Sequence, residues 1–219
     1  MVSRTIYCFW TGNNPLTDTR ERSLNQLAEV SGMNVILVTK ATLNLYIIPE
    51  HPLHEAYHYL SETHKADYLR TYFMHFYGGG YSDIKHTTGS WVDAYNDLVE
   101  NKDAWICGYK EIGEDGVAYK PYKNYWKEFI GVCCFICKPK TPLTHVWYRT
   151  MLSVLDKKLS AIKKRPSAFP QDCAESGSGS GYPVEWSELM GQIFHRIQFD
   201  FSGHIRQTLP APNLSWGYR

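Results

Sequence analysis

Apolar runs separated by polar turns predict alternating strands and helices in the first forty residues. Residues 4–10 and 35–38 are short apolar runs that predict two buried strands. Between them apolar residues recur at helical spacing, with Asp18 as the predicted N-cap and Gly32 as the residue that ends the helix. A strand, a helix and a strand at this spacing indicate a parallel α/β unit.

The middle of the chain predicts a helix that leads into a glycine turn and a short strand. Four apolar residues recur at helical spacing before the turn: Leu69, Tyr72, Phe73 and Phe76. Gly78, Gly79 and Gly80 allow a sharp backbone turn and the close approach of a ligand. Asp83 follows, where the predicted buried strand reaches the surface.

Later segments complete an α/β pattern. Residues 104–109 and 130–137 predict further strands, and Thr141 followed by Pro142 starts a strong helix. We expect one domain over residues 1–219, with a central, mostly parallel but mixed β-sheet flanked by helices. A fragment of a longer protein would show the same pattern. The Ser-Gly repeat at 176–181 predicts a mobile segment, either a lid or an engineered connection.

Charged residues close to the glycine turn form the strongest candidate site. Asp67 and Arg70 are three residues apart, so they project from the same side of the predicted helix. Together with Asp83 at the strand end, they suit a cluster of sugar hydroxyls and a diphosphate. A helix-surface ion pair between Asp67 and Arg70 is the plainer interpretation of the first two residues.

These motifs resemble the sugar-binding region of GT-A type glycosyltransferases. The similarity is to the capsular polysaccharide synthesis and DXD sugar-binding families, with relatives in bacteria and large algal viruses. Their pattern is roughly S/A-D-x-x-R followed by Y-G-G-x-Y-x-D-x-D. Residues 66–70 match its first part and residues 77–83 its second, while Lys85 replaces the second Asp. The string at 182–186 also resembles the C-terminal part of the capsular-synthesis family.

The resemblance implies a GT-A-like fold and a retaining transfer of a hexose from a UDP-sugar to a glycan or glycoprotein acceptor. In those families a Trp in the first strand-end loop lies against uracil, a position that Trp10 matches. A Trp that caps the core is the alternative. The implied donor-binding residues are Trp10, Thr11, Asp67, Arg70, Gly79, Gly80, Ser82, Asp83 and Lys85. A module that binds sugar nucleotides or glycans without catalysis is the second reading, with Lys85 as the mark of lost activity.

The diphosphate leaving group needs positive charge, and the resemblance implies Mn²⁺ or Mg²⁺ as the cofactor. Asp83 is then the first metal ligand and His195 the candidate distant ligand, although a partly buried His at a helix end is at least an equal alternative. The ammonium of Lys85 is the other possible source of charge. Asp83 is also a candidate catalytic residue, as are the late-loop acids Asp172 and Glu185. For Asp172 and Glu185, taken singly, a solvated loop acid is the plainer interpretation.

The overall composition and charge narrow the remaining classes of function and location. With a formal net charge of +1, the protein has no overall positive field that would attract nucleic acid. No apolar run is long enough for a transmembrane segment, and no signal peptide opens the chain. Cys133, Cys134 and Cys137 lie in a predicted strand whose alternation turns Cys134 and Cys137 to opposite faces. We therefore expect reduced core cysteines and a cytoplasmic location, which is the host cytoplasm if the source is viral.

Overall fold

The computed structural model describes residues 2–214 and contains a six-stranded mixed sheet. The strands are β1 (Thr5–Trp10), β2 (Asn34–Thr39), β3 (Gly79–Ser82), β4 (Ile106–Lys110), β5 (Ile130–Cys137) and β6 (Ile205–Arg206). Their order in the sheet is β2-β1-β3-β5-β4-β6, and β5 alone runs against the direction of its neighbours. The mostly parallel α/β sheet expected from the sequence is confirmed.

Five α-helices connect and cover these strands. They are α1 (Asp18–Ser31), α2 (Glu62–Phe76), α3 (Val92–Glu100), α4 (Pro142–Lys164) and α5 (Gly191–Asp200). Thr141 caps α4 as expected, because its side chain accepts a hydrogen bond from the backbone of Thr144. The predicted cap of α1 is wrong by one residue. Thr17 caps α1 through its hydroxyl, and Asp18 is the first helical residue.

Side chains on the two faces of the sheet build two apolar cores. Along β1, Tyr7 and Phe9 face the aromatic-rich core, to which α2, α4 and α5 contribute. Ile6 and Cys8 face the opposite core, to which α1 and α3 contribute. This alternation is the period of two that any strand imposes on its side chains. Ten of the fifteen residues of α2 are buried, so it is a central helix of the fold.

The glycines before β3 allow close packing of the backbone. Gly79 has a φ of 81°, and a Cβ atom there would lie 2.7 Å from the carbonyl oxygen of Thr5. A Cβ on Gly80 would lie 3.0 Å from the side chains of Ile6 and Trp91. Both glycines are buried at the start of β3, at the opposite end of the strand from Asp83. Their observed role is to bring β3 close to β1.

One edge of the sheet collects the carboxyl ends of the parallel strands. β1 ends at Trp10, β2 at Thr39, and β3 leads directly into Asp83. β4 leads into Glu111 at the same edge. In α/β proteins of this kind, ligands bind beyond the carboxyl ends of the strands. Among residues 2–214, no helix is both long enough and apolar enough to cross a bilayer.

Candidate functional site

Four charged side chains meet where α2 crosses the end of β3. Arg70 Nη2 lies 2.9 Å from Asp67 Oδ1 and 3.8 Å from Asp83 Oδ1. Lys85 Nζ lies 3.1 Å from Asp83 Oδ2. The cluster therefore contains two carboxylates and two cations, and its formal charges balance. The structure thus brings together the three residues singled out by the helix and strand patterns, and adds Lys85 to them.

Neighbouring groups hold this charged cluster in place. The Tyr81 hydroxyl donates a hydrogen bond of 2.6 Å to Asp83 Oδ1, and its ring lies 4.4 Å below the guanidinium of Arg70. Arg70 Nη1 donates to the carbonyl oxygen of Val132 at 2.9 Å. Lys85 Nζ also donates to Cys133 Sγ at 3.2 Å. The Nε–H of Arg70 is a buried donor for which the described residues supply no acceptor.

Burial and charge act in opposite directions on the two carboxylates. Burial raises the pKa of Asp67, and the nearby charge of Arg70 only partly offsets this effect. Burial also acts to raise the pKa of Asp83, but Lys85, Arg70 and the Tyr81 hydroxyl together lower it below its usual value. Asp83 is therefore the carboxylate that this environment holds ionised.

Solvent reaches this cluster mainly at Asp83. The side chain of Asp83 is 21% exposed, whereas the side chains of Asp67, Arg70 and Lys85 are 6–8% exposed. A ligand that arrives from solvent would therefore meet Asp83 first. The buried Arg70 and Lys85 lie directly behind that carboxylate, close enough to attract an anionic group beside it.

A shallow cleft of about 430 Å³ opens at the ends of β1 and β2. Its lining residues are Trp10, Gly12, Asn13, Thr39, Lys40 and Ala41. Trp10 is half-buried, and its ring nitrogen donates to the carbonyl oxygen of Asn14 at 2.7 Å. Because β1 and β3 are adjacent parallel strands, this cleft and Asp83 share one edge of the sheet. An indole face, a cleft and buried cations at one edge suit a ligand with a planar ring and phosphates.

Thr11 connects this edge to the first turn of α2. Its hydroxyl donates a hydrogen bond of 2.8 Å to Glu62 Oε2, and Glu62 also pairs with Lys65. Ser82 is buried, and its hydroxyl donates to the carbonyl oxygen of Asp83. Thr11 therefore stays at the open edge, whereas Ser82 shapes the turn that follows β3. Gly79 and Gly80 are remote from the open end of the strand, so their packing does not support the predicted contact with a donor.

His195 belongs to a different buried group. Its Nδ1 accepts a hydrogen bond from the backbone N–H of Ala118, so the proton of the neutral ring lies on Nε2. Nε2 faces Glu111 Oε2 at 3.7 Å, and the ring packs near Phe129. The side chain of His195 is fully buried. His195 lies in the middle of α5, so its expected position at a helix end is wrong. Its described contacts indicate a structural role and give no support to its predicted role as a metal ligand.

The two late-loop acids have structural partners. Asp172 is buried and accepts hydrogen bonds from the Ala168 backbone and from three hydroxyls of the Ser-Gly segment: Ser176, Ser178 and Ser180. The segment predicted to be mobile is therefore organised around one carboxylate. Glu185 is exposed and accepts from the side chain of Gln192. These contacts support neither acid as a catalytic group at Asp83.

A divalent cation fits this cluster poorly. Asp83 Oδ1 accepts from Tyr81 and Oδ2 pairs with Lys85, so both oxygens of the expected first ligand are engaged. A cation on this carboxylate would also face the like charges of Lys85 and Arg70. Within residues 2–214, no group of three or more His, Cys, Asp or Glu side chains is arranged to hold a metal.

Several residues of the site were missed by the sequence patterns. Tyr81 lies inside the matched motif, but only the fold shows that its hydroxyl and ring contact Asp83 and Arg70. Val132 and Cys133 come from β5, far away in sequence, and reach the site because β5 pairs with β3. No local pattern around β5 signals these contacts.

No protein-family model matches this chain, and no curated protein matches it. Among solved structures, the chain is similar to one titled "PaToxG Glycosyltransferase", with a TM-score of 0.44 and 11% sequence identity. The match covers 91% of this chain and 68% of that one. A similarity of this size carries no argument about activity, so the function must be argued from the geometry of the site.

Proposed function

We propose that this protein is a glycosyltransferase that moves a hexose from a UDP-sugar donor to a glycan or glycoprotein acceptor. The observation that carries the proposal is the placement of Asp67, Arg70, Asp83 and Lys85 at the same sheet edge as the Trp10 cleft. Edges of this kind are the usual ligand sites of α/β sheets. The sequence motif at 66–70 and 77–83 supports the same assignment.

Each part of the edge has a role in this proposal. Trp10 stacks on the uracil ring, and Asp67 and Asp83 accept hydrogen bonds from donor-sugar hydroxyls. Arg70 and Lys85 lie where the positive charge for a diphosphate is needed, and the unpaired Nε–H of Arg70 is one donor that a phosphate oxygen would satisfy. Mn²⁺ or Mg²⁺ would supply further charge at the diphosphate in the family that the motif resembles.

The proposed reaction breaks the bond between the anomeric carbon and the β-phosphate oxygen, and its electron pair leaves with UDP. The acceptor hydroxyl oxygen forms the new bond to the anomeric carbon, and its proton passes to the departing phosphate. Retention of configuration, as the resemblance implies, places both events on the same face of the sugar. The cations behind Asp83 stabilise the charge that develops on the diphosphate.

A binding module without catalysis is the second candidate. The balanced charges of the cluster favour it, because Asp83 is already paired with Lys85. Donor hydrolysis or transfer separates the two candidates. An enzyme releases free hexose from UDP-sugar slowly even without an acceptor, whereas a binding module retains the intact donor.

Nucleotide selectivity tests the donor assignment. Melting temperatures would be measured with UDP, GDP, CMP and NAD, with and without Mn²⁺. A ligand at 100 times its dissociation constant stabilises the folded protein by about 2.7 kcal/mol. We expect UDP to raise the melting temperature most. An equal rise with GDP or NAD would contradict the uridine assignment.

The Asp67–Arg70 pair on α2 provides a second test of the same site. We expect Asp67→Asn to weaken UDP-hexose binding more than UDP binding, because Asp67 is assigned to the sugar. Asp93→Asn, at an exposed position of α3, is the matched control that leaves both affinities unchanged. Equal losses for UDP and UDP-hexose would mark Asp67 as a structural partner of Arg70 alone.

A further inference from the structure

We infer that the ammonium of Lys85 takes the place of a divalent cation, so that this site binds the donor diphosphate without a metal. The inference rests on the proposed function and names the source of positive charge for the same site. It departs from the cofactor that the motif resemblance implies. It is carried by the position of Lys85 relative to Asp83 and by the surrounding charges.

The backbone turn at Lys85 directs its side chain back toward Asp83. The backbone N–H of Lys85 donates to the carbonyl oxygen of Asp83 at 2.7 Å, which closes a tight turn directly after β3. The side chain then folds back, so that Nζ lies 3.1 Å from Asp83 Oδ2. The ammonium thus lies on the carboxylate itself, where a metal ligated by Asp83 would have to lie.

The ammonium of Lys85 is held in a fixed position by its hydrogen-bond partners. Nζ also donates to Cys133 Sγ on β5, and the side chain is only 8% exposed. Lys85 is therefore held by one partner in the turn after β3 and one on β5, and not by one flexible surface contact. A fixed cation in a site of low water content stabilises an adjacent anion without having to reorganise.

The charged groups around Asp83 also favour a diphosphate over a divalent cation. Arg70 lies 3.8 Å from the same carboxylate, so two cations already surround it. With Asp67 and Asp83 these cations make the cluster formally neutral, so it offers no excess negative charge to a dication, whereas a diphosphate can replace Asp83 as the partner of Lys85. The exposed fraction of Asp83 marks the side from which the diphosphate approaches, beside the cleft of Trp10.

Calorimetric titration of UDP into the wild-type protein provides the primary test. The dissociation constant would be measured in EDTA and again in excess Mn²⁺. We expect the two values to agree within twofold. Binding that requires Mn²⁺ would overturn the inference and leave the proposed function intact. The absence of UDP binding in both conditions would contradict the proposed function itself.

Variants of Lys85 provide the second test, with UDP and UMP as probes in EDTA. We expect Lys85→Gln to weaken UDP binding at least tenfold and UMP binding much less, because the ammonium is assigned to the second phosphate. Lys163→Gln, on the exposed end of α4, is the matched control and should bind both as wild type does. Unchanged UDP affinity in a folded Lys85→Gln protein would overturn the inference.

A third variant keeps the test decisive if Lys85→Gln does not fold. Lys85→Asp restores the D-x-D pattern of the resembled families, so the local charge then favours a metal. We expect UDP binding by Lys85→Asp to depend strongly on Mn²⁺, in contrast to the wild type. If Lys85→Asp and the wild type respond equally to Mn²⁺, Lys85 does not decide the metal requirement. Wild-type titration in EDTA decides the inference where neither variant folds.

Discussion

At the scale of single residues, Asp83 shows how neighbours decide the state of a carboxylate. Burial opposes its ionised form, but Lys85, Arg70 and the Tyr81 hydroxyl outweigh burial and lower its pKa. Asp67 is only one helical turn from Arg70, yet burial dominates and its pKa is raised. Two carboxylates that share one arginine therefore differ in the direction of their pKa shifts.

Asp83→Asn should abolish transfer and also lower stability. The amide keeps an acceptor for the Tyr81 hydroxyl but leaves the ammonium of Lys85 without its carboxylate. We expect a loss of about 2 kcal/mol in the free energy of unfolding, measured by urea denaturation, because the buried ammonium of Lys85 loses its carboxylate partner. Asp115→Asn removes an exposed ion pair and is the control that should change nothing measurable. Wild-type turnover in folded Asp83→Asn would contradict the proposed mechanism.

At the scale of elements, short connections between helices and strands place the site. The turn at Gly78 and Gly79 joins α2 directly to β3, so Arg70 and Asp83 meet although they are thirteen positions apart in the chain. The register of β5 against β3 then adds Val132 and Cys133 to the site. The glycine turn therefore allows close backbone packing that brings together the charged residues of α2 and of the turn after β3.

Substitution of Gly79 tests this packing role. Gly79→Ala should lower the free energy of unfolding by at least about 2 kcal/mol, because φ is 81° and the new Cβ would meet the Thr5 carbonyl oxygen. Gly113→Ala is the matched control, since Gly113 has extended backbone and open space around it. Urea denaturation curves for both variants would measure the two free energies of unfolding. Equal stabilities would show that the backbone at Gly79 relaxes without cost.

The Ser-Gly segment offers a second test at this scale. Asp172→Ala removes the acceptor that Ser176, Ser178 and Ser180 share. We expect faster proteolytic cleavage within 176–181 and a loss of about 1–3 kcal/mol in stability, because three hydroxyls lose their hydrogen bonds to a charged acceptor. The exposed Glu128→Ala is a control without these effects. Unaltered cleavage in Asp172→Ala would show that other contacts order the segment.

At the scale of the whole molecule, two cores on opposite faces of one sheet stabilise the fold. The larger core packs α2 between the sheet and α4, where His75 stacks on Tyr148 with a ring separation of 5.2 Å. Burial, aided by the charges of His145, His51 and Lys140, lowers the pKa of His75 to about 4. The global stability of the protein is therefore linked to the protonation of a histidine outside the proposed site.

Stability should fall as the pH decreases from about 6.5 to about 4. In this window the unfolded chain binds a proton at His75 while the folded protein does not, so protonation favours unfolding. The expected contribution is about 3 kcal/mol, from a pKa difference of roughly two and a half units. Urea denaturation at pH 7 and pH 4.5 would measure it, and His75→Gln should remove that part of the slope. Exposed His58→Gln is the control, and an unchanged slope in His75→Gln would refute the linkage.

The sequence by itself determined five strands, three helices and the central residues of the proposed site, whereas α3 and β6 appear only in the structure. Hydrophobic spacing defines β1, α1, α2 and α4, since these patterns follow directly from the periods of strands and helices. The match at 66–83 placed Asp67, Arg70 and Asp83 in one site, which the ion pairs of the structure bring together. Local spacing suffices here because α2 and β3 are adjacent in the chain.

Only the tertiary structure decided which polar residues share that site. Asp172 and His195 have side chains that could act in catalysis or metal binding. In the fold, however, Asp172 binds the Ser-Gly segment and His195 faces Glu111. Lys85, in contrast, folds back onto Asp83 and contacts Cys133 of β5. These outcomes depend on long-range strand pairing and on burial, which determine whether a charge is neutralised by a neighbour or left for a ligand. Hydrophobic periodicity contains neither piece of information.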